Sequence, residues 1–129
     1  MTKEDTVQKW RASAQEDLEV AKELFAGKRY PHCLFFCQLS LEKLLKAVIV
    51  HITDDAPPIT HDLVKLALSA NLSPEPQQIT SLREITTFNI EARYDIHKER
   101  LYKKATGDFT RQYLSRSEEL FLWIRNALP

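Results

Sequence analysis

The sequence predicts an all-α fold, an antiparallel up-and-down bundle of four long helices plus one short helix. Three observations carry that prediction. The chain of 129 residues contains only two glycines, so turns are few and elements are long. Its breakers fall at Gly27, Pro31, Pro57-Pro58, Pro74 with Pro76, and Gly107, leaving five segments between them. Within each segment apolar residues recur at spacings of three and four, the period of one helix face.

The first segment runs from about Glu4 to Ala26, with Val7, Trp10, Ala14, Leu18, Ala21 and Phe25 in phase and Gly27 as a C-terminal stop. The second starts near Pro31, a residue suited to a first turn, and continues to about His51. Its apolar face, from Cys33 and Phe36 through Leu41 and Leu44 to Val48, is wide enough to be central to the core. The third, short segment has Thr60 as N-cap candidate, Asp62 near the positive helix end, and a stripe of Leu63, Leu66, Ala67 and Ala70. The fourth opens at Ser73-Pro74 and carries Ile79, Leu82, Ile85 and Phe88. The last begins at Asp108 and buries Phe109, Tyr113, Leu120, Phe121, Ile124 and Leu128. Short loops between these segments make a bundle, and residues 1–129 read as a single domain. Only residues 94–107 lack a clear apolar face.

Composition narrows the function classes. Apolar residues make up 43% and charged ones 28%, which describes a soluble globular chain that folds without metal or disulfide. Eighteen basic side chains balance eighteen acidic ones, so any nucleic-acid site is a local patch. The polar start MTKEDTVQKW is no signal peptide, and the stretch LLKAVIVHI is too short, with Lys46 inside it, to span a membrane. Cys33 and Cys37 fit buried thiols of a reduced, cytoplasmic protein better than a disulfide or a zinc site with His32 and His51. Glycine-rich phosphate loops are absent, and no cofactor is expected.

The second segment reads YPHCLFFCQLSLEKLLKAVIV, the third opens THDL, and the fourth ends EARY. Preceded by SAQEDLEVAKELFAGKRY, that ordered set resembles the HEPN family, the higher-eukaryote and prokaryote nucleotide-binding domain, over nearly the entire chain. The resemblance implies a helical bundle, commonly a homodimer, often encoded with a small nucleotidyltransferase as toxin and antitoxin. It also implies that active members are metal-independent endoribonucleases, whose signature is an arginine, four to six residues, then a histidine.

Arg93 and His97 are the residue types such cleavage needs. An imidazole can move the 2′-hydroxyl proton near neutral pH, and a guanidinium can hold the phosphoryl oxygens. Three residues, Tyr94, Asp95 and Ile96, separate them, fewer than the family spacing, and no arginine and histidine in the chain have that longer spacing. On one regular helix the two would share a face. The alternative is structural, with Arg93 paired to Asp95 or Glu91 and His97 exposed in a connection. Basic residues around Tyr94 and Tyr102 could hold phosphates and stack bases. His61, after Thr60 at a helix start, is a ligand candidate or a loop-fixing side chain. Lys46 is a phosphate candidate or an exposed partner of Glu42. The leading expectation is a nucleotide- or RNA-binding module that acts as a homodimer with a nucleotidyltransferase partner. The alternative is a metal-independent endoribonuclease using Arg93 and His97.

Overall fold

A computed structural model describes the backbone of residues 1–129 and every side chain except those of Asp95 and Ile96. It has six helices: α1 (Lys3–Ala26), α2 (Tyr30–Thr53), α3 (Leu63–Ser69), α4 (Pro76–Arg93), α5 (Asp95–Lys104) and α6 (Gly107–Arg125). The expected all-α architecture is present, with one helix more than the periodicity predicts.

Side-chain contacts give the helix directions. Lys3 Nζ donates to the His51 carbonyl 3.4 Å away, so α1 starts where α2 ends. Asn89 of α4 reaches Gln38 of α2, and Phe88 of α4 packs edge-on against Phe109 and Tyr113 of α6. The long helices α1, α2, α4 and α6 therefore alternate up and down. Between them lies a core led by Leu34, Leu41, Leu44, Leu45, Leu82, Ile85, Phe88 and Ile124, all essentially without solvent contact. A smaller cluster of Ala21, Cys33, Cys37 and Leu114 joins α1, α2 and α6. Both cysteines are free and buried. The hydrogen bond with Cys33 and the burial push the Cys37 thiol well above its usual range, as an inert core residue should be.

Helix ends follow local chemistry more closely than the breakers suggest. Thr2 and Asp5 close a capping box on α1. At its other end Gly27 has φ −83°, and Lys28 takes the left-handed conformation at φ 60° while Arg29 N–H bonds back to Leu24. The residue built for positive φ thus sits one place too early. Asp62, not Thr60, caps α3, its carboxylate accepting from Val64 and Lys65 N–H. Thr60 closes a tight turn onto Asp62 N–H. The fourth helix starts at Pro76, two residues after the expected Ser73-Pro74, because Glu75 and Gln78 make the capping box there.

The helix α5 is the main departure. Its ten residues hold one deeply buried leucine, Leu101, followed just past the end by buried Ala105. Lys104 does much of the docking. Its ammonium reaches Glu91 at 2.6 Å, Glu84 at 3.0 Å and Thr87 at 3.3 Å, and lies 5.3 Å from the Phe88 ring centroid. Burial works against the charge, but the bonds to Glu91 and Glu84 outweigh it and raise the Lys104 pKa above its ordinary 10.5.

Candidate functional site

α4 ends at Arg93, and Tyr94 (φ −109°, ψ 121°) is extended, serving as last cap of α4 and first cap of α5. The chain turns a corner there. His97 N–H then bonds the Tyr94 carbonyl at 2.8 Å, placing His97 in the first turn of the next helix. Arg93 and His97 therefore do not lie on one continuous helix, and the shared-face argument for them does not apply. Arg93 is exposed and His97 partly so. The suggested partner Glu91 is engaged by Lys104, and a pairing of Arg93 with Asp95 lies outside the described residues.

The corner brings Arg93 into a cleft of about 250 Å³ between the start of α2, the end of α4 and the inner side of α5. Pro31, His32 and Phe35 come from α2, Ala92 and Arg93 from α4, and Lys98, Leu101 and Tyr102 from α5. Two aromatic rings, an imidazole, a guanidinium and an ammonium face one small space, and no carboxylate is among its described lining residues. Such a lining suits a planar base and an anionic group. Tyr94 is 58% exposed on the corner itself and is not part of that lining.

The structure places the other two expected ligand residues elsewhere. Glu42 of α2 accepts from Gln38 Nε2 at 2.9 Å, Lys46 Nζ at 2.9 Å and the His61 ring at 2.8 Å. Gln38 also donates to the His61 carbonyl and accepts from Asn89 Nδ2 at 2.8 Å. Burial raises the Glu42 pKa, yet the bonds from Gln38, His61 and Lys46 outweigh it, leaving the carboxylate below its ordinary 4.5. The Glu42–Lys46 pair has the expected i,i+4 spacing but is largely buried, with side chains only 8% and 13% accessible. Lys46 also lies 5.6 Å from the Trp10 ring centroid. His61 fixes the THDL segment to α2, which is the structural role open to it from the sequence.

His32 is the residue that sequence reasoning considered only as a zinc ligand. No group of three or more metal-ligating side chains forms among the described residues. His32 shares the lining of one cleft with Arg93, from α2 and α4 respectively, and local spacing carries no trace of that neighbourhood.

An up-and-down helical bundle is the class of fold that this protein has. The HEPN domain family model matches residues 7–127, and the chain belongs to that family. Its fold is similar to that of TT1696 from Thermus thermophilus, with a TM-score of 0.79, 15% identity, and coverage of 95% of this chain and 98% of that one. It is also similar to ST0689, an archaeal HEPN homologue, with a TM-score of 0.73, 17% identity, and 98% of both chains covered. At such identities the likeness is one of fold. No curated protein matches the chain. No helix among the described residues is long and apolar enough to cross a membrane.

Proposed function

We propose that the chain is a nucleotide- or RNA-binding module of HEPN type, residues 1–129 acting as one unit. In this reading it works as a homodimer beside a small nucleotidyltransferase, in a system of toxin–antitoxin kind. The observation that supports it is the gathering of Arg93 and Lys98 with Phe35 and Tyr102 around one cleft without a described carboxylate. Guanidinium and ammonium groups can hold phosphate, while the rings offer a face for a base, a combination that tolerates many sequences. Family membership and the corner geometry make this cleft the place to look.

The test is a fluorescence-anisotropy titration of a labelled adenine nucleotide and of a short single-stranded RNA against the full chain. Saturable binding that Arg93→Ala weakens about tenfold or more, a loss of ~1.4 kcal/mol, is the expected result. Absence of saturable binding of either probe would reject the reading. Incubating structured RNA in chelator with the parent, Arg93→Ala and His97→Ala decides the endoribonuclease alternative. Cleavage lost in both variants would replace the binding module with an enzyme.

A further inference from the structure

The cleft beside Arg93 holds an imidazole, and it is not the one that follows Arg93 in the sequence. Lys98, Leu101 and Tyr102 are the residues that α5 contributes to the cleft. At about 100° per residue, Lys98 and Tyr102 fall on one side of Leu101, and His97 falls on the other, toward Lys104. That second side is where Lys104 meets Glu84 and Glu91 on α4. His97 accordingly is not among the cleft's described lining residues, whereas His32 is. His32 stands in the first turn of α2, directly after Pro31, exposed and with no carboxylate beside it among the described lining residues.

We infer that His32 and Arg93, reaching from α2 and α4 into the same cleft, form a phosphate clamp for one unpaired nucleotide unit whose base lies against Tyr102 and Phe35. This deepens the reading given above and rests on it. The volume of about 250 Å³ suits a single nucleotide unit and leaves no room for a base-paired strand. The two rings come from α2 and α5, so two separate elements offer an aromatic face to a base. Leu101 and Ala92 supply apolar surface for its edge. A histidine ring donates one or two N–H groups, and guanidinium a planar fork of five, which together can satisfy the oxygens of a terminal phosphate.

The clamp is tested by titrating the intact chain with a fluorescent AMP analogue, adenosine as a competitor lacking phosphate, and duplex RNA as a competitor lacking unpaired bases. The parent should bind AMP at least about tenfold more tightly than adenosine, and duplex should not compete. His32→Ala should weaken AMP at least about fivefold, leave adenosine unchanged, and be restored by His32→Lys, which puts back a cationic donor. His97→Ala should bind as the parent does. The exposed position of His32 argues against loss of fold as a cause, and an unchanged thermal melt of each variant checks it. Parent-like AMP binding by His32→Ala, failure of His32→Lys to rescue, or an equal loss in His97→Ala overturns the clamp. If Arg93→Ala loses binding while His32→Ala does not, the clamp falls and the cleft reading stands. If AMP does not bind while the single-stranded RNA does, the clamp falls and the module stands; if neither binds, both fall.

Discussion

The two ends of α4 each border a cleft, and the larger one is the poorer candidate. At its first turns Gln77, Gln78, Thr80 and Ser81 face Arg116, Glu119 and Leu120 of α6 across about 340 Å³. At its last turn Ala92 and Arg93 face α2 and α5 across about 250 Å³. The first cleft mixes one guanidinium with one carboxylate and several uncharged polar groups. Its Arg116 is already held, donating to the Tyr113 hydroxyl at 3.2 Å and lying 4.9 Å from that ring. Among its described lining residues the second cleft carries one sign of charge and two rings. Volume measures where two helices diverge; the sign of the lining and its aromatic content decide what can bind there.

The heaviest test strikes what ties the later part of α4 to α2. Glu42→Ala removes the acceptor for Lys46, His61 and Gln38, and through Gln38 loosens the grip on Asn89 in α4. Loss of one partner of a largely buried pair should cost about 3 kcal/mol in urea denaturation. The same carboxylate predicts the acid limb of stability. Its folded pKa lies below the ordinary 4.5, so its contribution is complete above that value and disappears as acid protonates the folded state. Glu42→Gln should flatten the fall in melting temperature below about pH 4.5.

A more selective test is Lys104→Met, which leaves Glu84 and Glu91 of α4 without their shared cation. We expect about 2 kcal/mol of destabilisation, with nucleotide binding lost even though Lys104 does not line the cleft. Binding that survives this change would separate the cleft from the docking of α5. Next in size is the pair Arg93→Ala and Arg116→Ala. The first should reduce affinity for AMP about tenfold, the second by less than about twofold. The reverse order would make the larger cleft the binding site. Smallest, and favourable in sign, is Lys28→Gly. Relieving a left-handed lysine at the end of α1 should raise stability by about 1 kcal/mol without altering binding at either end of α4.

The long helices were legible because their periodic stripes are the stripes that meet in the core. What stayed hidden has physical causes. Two prolines two residues apart left the start of α4 open, and only the Glu75–Gln78 capping box selects Pro76. Residues 94–107 showed no apolar face because, among its described residues, α5 is secured by one leucine and by a lysine whose partners lie on another helix. A helical wheel gives the spacing of Glu42 and Lys46 but not which side of α2 faces inward, so the pair read as exposed. The motif EARY singled out Arg93, which the fold sets at the last turn of α4 beside the cleft. No motif joins His32 to it, because the two line one cleft only after α2 and α4 pack antiparallel.

The extended Tyr94 between two helices has a consequence for how chains of this kind can vary. An added or deleted residue inside a rod spins everything beyond it about the rod's axis. At an elbow it swings the whole outgoing arm instead, while the incoming arm keeps its seat. Whatever α5 presents to Arg93 could thus be re-aimed by changing the length of a single corner, with Leu101 and Ala105 as the core side chains that must be reseated.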